Sequence, residues 1–271
     1  MLKRIITAII AIAIFVPVCY FSGTIIFPIA IALLSLVGVF EMSKCLGYHK
    51  KLGLTIPLYI LAVALPIFRI FVLTNAFFLS HVAIAFIAML VYMLSYVMLR
   101  KNKDKLSDIL TLYSLCIFVI SGFTSILLVR LQHNGSKIYL LAFLGAWICD
   151  TFAYFTGKFF GKHKLIPEIS PKKTIEGAIG GVVFTIGGFA IFGLIMNSFF
   201  EASLSYLTLC IYGLVLSIVS QFGDLIASSI KRQYNIKDYG FIFPGHGGVL
   251  DRFDGVLVVA PVLYVLNYLI G

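Results

Sequence analysis

The stretch Phe77–Leu99 reads FFLSHVAIAFIAMLVYMLSYVML and holds no Asp, Glu, Lys or Arg in 23 residues. The hydrocarbon core of a bilayer is about 30 Å thick and a helix rises about 1.5 Å per residue, so about 20 apolar residues cross it. Runs of the same kind lie near 5–22, 25–43, 53–73, 106–129, 138–156, 175–199, 204–223 and 254–270, which makes nine with the first. Unpaired backbone N–H and C=O groups are too costly in lipid, and no alternating ten-residue barrel pattern occurs, so each run is expected to be a helix. Pro17, Pro28, Pro57, Pro66 and Pro261 lie in or near these runs, where proline kinks a helix or marks its end.

Composition agrees. Of the 271 residues, 61% are apolar or aromatic and 12% are charged, against roughly half and a quarter in soluble domains. The ratio excludes a water-soluble domain, long disordered tails, a collagen-like repeat and a secreted disulfide scaffold. Cys19, Cys45, Cys116, Cys149 and Cys210 are widely spaced and form no C-x-x-C pair, so they read as small core hydrophobes. Lys3-Arg4 before the first run resembles the start of a signal peptide. No small-x-small cleavage site follows, and another apolar run opens at Thr24, so a retained first helix is expected. The expected fold is all-α: a polytopic transmembrane helix bundle of about nine helices, with scaffold helices over 1–130 and a C-terminal region with two inner loops over 131–271.

Basic residues assign the sides. With the N-terminus cytoplasmic, nine crossings place 18 of the 21 Lys and Arg inside, and only Arg69, Arg130 and Lys137 outside. Removing one crossing would reverse every later loop. The net charge of +10 is mostly this asymmetry, together with attraction to anionic headgroups worth about 1 kcal/mol per residue near the surface. Nucleic acid is not needed to explain it.

The eleven acids say more, because a carboxylate inside the slab is costly unless something pairs with it. Glu41, Asp104, Asp108, Glu168 and Glu201 sit in or beside loops and are expected to be solvated. Asp150, Glu176, Asp224, Asp238, Asp251 and Asp254 all fall in the second half, and the first half reads as scaffold and lipid-facing wall. Asp251 and Asp254 are three apart, so a helix there would put both carboxylates on one face, where their oxygens suit a hard cation such as Mg²⁺. Glycines around His246, including Gly247 and Gly248, strip side chains from the backbone and would let N–H groups approach an anion. Lys231 and Arg232 add positive charge one or two helical turns beyond Asp224 and Ser228, and Lys237, Asp238 and Arg252 lie in the same stretch. Together these residues suggest a metal-bridged polyphosphate site.

The other inner loop carries Lys172, Lys173, Thr174 and Glu176 at the expected start of the seventh helix. Free N–H groups and the helix dipole there favour phosphate. An ordinary capped start, with Ser170 or Thr174 as the cap and Glu176 offsetting the dipole, explains the same residues equally well. Asp150 lies inside an apolar run and is expected to have a polar or functional partner. His49, His81, His133 and His163 show no ligand spacing.

The 27 residues from Ser228 to Asp254 resemble the signature of the phosphatidate cytidylyltransferase (CDP-diacylglycerol synthase) family: S-x-apolar-K-R, four residues, K-D-x-G, two residues, then F-P-x-H-G-G-apolar-x-D-R-apolar-D. Every element is present, through Ser228, Lys231, Arg232, Lys237, Asp238, Gly240, Phe243, Pro244, His246, Gly247, Gly248, Asp251, Arg252 and Asp254. Asp150 to Gly177 is similar to the family's D-x-x-A-Y and S-P-x-K-T-x-E-G segments. The resemblance implies that the phosphate of phosphatidic acid attacks the α-phosphorus of CTP, with Mg²⁺ required and K⁺ as a second cation. It implies that Asp224, Asp251 and Asp254 hold metals while Lys231, Arg232, Lys172 and Thr174 hold phosphates, on the cytoplasmic face. His246 would assist protonation or shape its loop. The partners implied are CTP, phosphatidic acid and membrane lipids, with a homodimer left open and no nucleic acid.

Two rival readings are weaker. Asp251-x-x-Asp254-Gly255 mimics the opening of the CDP-alcohol phosphotransferase motif, but no further aspartates follow it. A transporter binding a coupling ion at Asp150 and Asp224 would show two inverted repeats of similar length, and none is seen.

Overall fold

The computed structural model describes residues 2–72, 74–100, 104–245 and 247–271. Its elements are α1 (Leu2–Tyr20), α2 (Ile26–Cys45), α3 (Leu52–Phe71), α4 (Asn75–Leu99), α5 (Leu106–Arg130), the single turn α6 (Gly135–Ile138), α7 (Leu141–Phe160), β1 (Lys164–Ile166), β2 (Ser170–Thr174), α8 (Ile175–Phe200), α9 (Tyr206–Gln233) and α10 (Leu250–Ile270). Among the described residues eight helical segments are long and apolar enough to cross a membrane, and Ile6–Tyr20 is a shorter apolar helix. The chain is an integral, multi-pass membrane protein, and each expected apolar run is helical.

The structure departs from the expectation in the segments that follow α7 and α9. β1 and β2 form an antiparallel hairpin, pairing Lys164 with Thr174 and Ile166 with Ser170, in a loop where no element was expected. Helix α9 continues ten residues beyond the apolar run that ends at 223, and α10 begins four residues before the run that starts at 254. Hydropathy locates the slab, whereas a helix keeps making i→i−4 bonds after it leaves lipid. Asp224, Ser228, Lys231, Arg232 and Asp251 all lie on these polar extensions.

The chain forms two compact units, one of Met1–Leu127 with Ile236–Arg252 and one of Leu128–Asn235 with Phe253–Gly271. In the first, α2 packs on α3, and Ser43 Oγ meets Tyr59 Oη at 2.9 Å across that contact. Lys51 pairs with Asp104, joining the start of α3 to the chain entering α5. Asp104 is 8% exposed, not solvated as expected, because the Lys51 ammonium takes the place of water. The hydrogen bond from that ammonium to Asp104 holds the Lys51 pKa above its ordinary value, against the opposing cost of desolvation.

In the second unit α7, α8 and α9 pack together. Lipid tails are as apolar as leucine, so close packing and hydrogen bonds, not hydrophobicity, join helices there. Gly177 and Gly181 of α8 allow that approach: a Cβ on Gly181 would lie 3.0 Å from Cys149 O on α7, and one on Gly177 would lie 2.6 Å from Ala153 O. Polar side chains add a buried chain of bonds. Tyr212 Oη donates to Asn267 Oδ1 (3.1 Å), Asn267 Nδ2 to Gln132 Oε1 (3.0 Å), and Gln132 Nε2 to the Tyr264 carbonyl (2.9 Å).

Candidate functional site

In the second unit Asp224 is the centre of a polar cluster. Ser228, one turn on along α9, donates to its Oδ1 (3.2 Å), and Lys173 from β2 pairs with its Oδ2 at 2.7 Å. Both partners of the ion pair are about one-quarter exposed, so the pair is shielded from bulk water but not sealed from it. Gly223 sits where α9 meets α10: a Cβ there would lie 2.9 Å from the Asp254 carbonyl and 3.1 Å from Gly255 Cα. The close approach therefore brings the α9 backbone beside Asp224 to the α10 backbone at Asp254. The Asp254 carboxylate accepts the Gly255 N–H at 2.8 Å.

The hairpin and the start of α8 are joined by two side chains. Thr174 is the N-cap of α8, buried, and its Oγ1 accepts the Gly177 N–H at 3.1 Å. The capping alternative thus has its observed partner. Glu176 reaches back instead of merely offsetting a dipole. It accepts the Lys162 N–H (3.1 Å) and the His163 N–H (3.2 Å), and it pairs with His163 Nδ1 at 2.6 Å. His163, given no role from the sequence, therefore closes the base of the hairpin. Its partner lies 13 residues away across two strands, and no local pattern signals that. On β2 the alternation, broken by a bulge, leaves Lys172 exposed and turns Lys173 toward Asp224. Arg232 Nε contacts the Ile169 carbonyl at 3.5 Å.

In the first unit the glycine-rich segment is occupied by carboxylates. Asp251 Oδ2 accepts the Tyr239 N–H (2.8 Å) and the Gly248 N–H (2.9 Å). Glu41, from the end of α2, accepts the Val249 N–H at Oε1 (3.0 Å) and the Leu250 N–H at Oε2 (2.9 Å). A helix leaves its first N–H groups without backbone partners, and valine before the first turn has no side-chain acceptor to offer. Glu41 supplies that acceptor from elsewhere in the chain, with a negative charge at the positive end of the α10 dipole.

Two expectations are corrected here. Glu41 is 2% exposed, not solvated, because its charge is spent on two amides. The glycines do not leave Gly248, Val249 and Leu250 bare for an anion, since these three consecutive N–H groups bond to Asp251 and Glu41. Their small size serves the carboxylates: Cβ atoms on Gly240 and Gly248 would each fall 2.2 Å from Glu41 Oε1, and one on Gly247, at φ +86°, would fall 2.7 Å from Asp251 Oδ2.

The fold thus gathers Lys173, Asp224 and Ser228, with Asp254 at the adjoining helix crossing, and separately gathers Gly247, Gly248 and Asp251. Asp150 on α7, Lys172, Lys237 and Arg252 are exposed, while Lys231 and Asp238 are half-buried. His246 lies outside the described residues. Among the described residues no three His, Cys, Asp or Glu side chains gather closely enough to form a cation cage.

Aspartates, lysines and arginine on and beside the polar ends of long apolar helices define a class: integral, multi-pass membrane proteins with charged clusters where the helices leave the apolar slab. The chain belongs to the cytidylyltransferase family, whose model matches residues 2–270. It is 38% identical over 263 residues to the phosphatidate cytidylyltransferase of Staphylococcus epidermidis, covering 97% of each chain. Identity to the proteins of the same name is 37% over 265 residues in Staphylococcus haemolyticus and 36% over 263 residues in Staphylococcus aureus, again with 97% of each chain covered.

Proposed function

We propose that this chain joins CTP to phosphatidic acid, giving CDP-diacylglycerol and pyrophosphate for phospholipid synthesis. The observation that carries this reading is likeness to phosphatidate cytidylyltransferases along 97% of the chain. A phosphate oxygen of the lipid forms a bond to the α-phosphorus of CTP. The bond from that phosphorus to the oxygen bridging to the β-phosphate breaks, and its electron pair leaves with pyrophosphate.

Both reactants are anions, so neutralising charge and holding them in line matter more than a side-chain nucleophile. Lys173 on β2 and Lys231 and Arg232 on the α9 extension supply fixed positive charge, and the exposed Lys172 adds to it. Ser228 and Lys173 fix the rotamer of Asp224, while the amides of Tyr239 and Gly248 fix that of Asp251. Carboxylate oxygens are the donors that Mg²⁺ takes, usually one or two alongside waters and phosphate oxygens. Asp224 and Asp254, beside the crossing of α9 and α10, would hold it, with K⁺ as a second cation, and Asp251 is a further carboxylate that the family resemblance assigns to the reaction. When bound, Mg²⁺ polarises phosphoryl oxygens and neutralises charge developing on the pyrophosphate.

The reading sets the chemistry on the cytoplasmic side, supported by the inner placement of 18 of the 21 basic residues. There soluble CTP meets a membrane-bound lipid. The test is detergent-solubilised protein with CTP, phosphatidic acid and Mg²⁺, assayed for pyrophosphate and for the nucleotide-linked lipid. Release of both, and its loss with EDTA, is expected; no product under these conditions overturns the proposal.

A further inference from the structure

Glu41 lies more than two hundred positions before the residues it holds, in a helix that reads as scaffold. Its carboxylate takes the N–H groups of Val249 and Leu250, and the Asp251 carboxylate takes those of Gly248 and Tyr239. The two acids thus take the N–H groups of three consecutive residues between them, Asp251 that of Gly248 and Glu41 those of Val249 and Leu250. Gly248 is shared: its N–H bonds to Asp251, and its Cα hydrogens face Glu41, where a Cβ would fall 2.5 Å from both Cδ and Oε2. At 2% exposure Glu41 is sealed from solvent, so water cannot substitute for it.

We infer that Glu41 is a positioning residue for the transfer reaction: by capping α10 and backing Gly248, it sets the direction of the Asp251 carboxylate. This rests on the functional reading above, in which Asp251 serves the reaction. Glu41 touches neither substrate in this account and acts through Asp251. A buried glutamate serving the bundle alone would not be tied to the activity of one particular aspartate.

A double-mutant cycle tests the inference. Glu41→Gln preserves size but removes the charge and turns an NH₂ group toward one of the two amides. It is expected to lower kcat about 10- to 100-fold, as the loss of a group orienting a ligand does, with the KM for CTP changed less than twofold. Asp251→Asn alone is expected to lose at least about a hundredfold. The decisive readout is the double variant: if Glu41 acts through Asp251, it is no slower than Asp251→Asn alone, within about twofold. Ser43→Ala, two residues further along α2, serves as the packing control and should keep wild-type kcat.

If Glu41→Gln does not accumulate as folded protein, Glu41→Asp, which keeps the charge but falls a methylene short, goes through the same cycle with the same expected pattern. Wild-type kcat in the Glu41 variant, or losses that multiply in the double variant, overturn the inference while leaving the functional reading standing. A wild-type protein that makes no CDP-diacylglycerol overturns the functional reading, and the inference falls with it.

Discussion

Substituting Gly248 by alanine tests whether the glycine-rich segment exists to admit a carboxylate. Gly248 has no positive φ, so alanine carries no backbone penalty, and its N–H remains in place. The added Cβ would lie 2.2 Å from Glu41 Oε1, whereas ordinary contact begins near 3.4 Å. The carboxylate must therefore retreat by about 1.2 Å. That movement takes the 3.0 Å and 2.9 Å bonds to Val249 and Leu250 beyond hydrogen-bonding distance. Each charged hydrogen bond contributes about 1.5–3 kcal/mol, so local opening of the first turn of α10 should become easier by about 3 kcal/mol or more, a factor above a hundred. Amide hydrogen exchange by mass spectrometry reads this directly as lost protection over 248–252. Adding Glu41→Asp should restore part of the protection, because the shorter side chain vacates the space the methyl group needs. Wild-type protection in Gly248→Ala, or a further loss in the double variant, would refute the reasoning.

Asp224→Asn and Asp254→Asn should each reduce CDP-diacylglycerol formation by at least about a hundredfold, if they hold a metal or its charge stabilisation; full activity in both would remove them from that role. Lys173→Met strips the ammonium from a carboxylate only one-quarter exposed, so activity should fall, and Asp224→Asn on top of it should add less than its effect alone. A simple product of the two losses would mean the pair is not a unit. Lys51 has a raised pKa in the folded protein, so its contribution is complete below the ordinary lysine range and disappears as pH rises through the raised value. With Lys51 40% exposed, solvent limits that contribution to about 1 kcal/mol or less. Thermal stability should therefore fall slightly above about pH 10.5 in the wild type, and Lys51→Met should flatten that decline; an unchanged alkaline limb would separate it from this pair.

The membrane bundle was legible because lipid leaves the backbone few choices: the nine apolar runs and the helices agree to within a few residues wherever the helix ends with the slab. It was least legible where helices enter water. The run ending at 223 hid a helix reaching Gln233, and α10 starts at Leu250 although the apolar signal starts at 254. The hairpin at 164–174 is short, interrupted by Pro167 and Pro171, and depends on Glu176 for closure, so no periodicity shows it. Among the candidate site residues, Asp224 and Asp251 stood out by the cost of a carboxylate at a helix end or in the slab, and Lys173 by its place at the expected start of a helix; the first rule applied to Glu41 would have found it, since position 41 falls inside the run 25–43. Its partners could not be found that way, because a contact spanning 208 positions leaves no local trace.

That contact makes the early helices and the late signature a matched set. A chimera that transplants residues 228–254 into a transmembrane frame with no acid at the position of Glu41 would carry over the glycines shaped to admit an acid, but not the acid itself. Such a graft would keep every letter of the motif and still present a loose turn at the head of its last helix. Moving Glu41 together with Gly240 and Gly248 is the smallest exchange that preserves the fit.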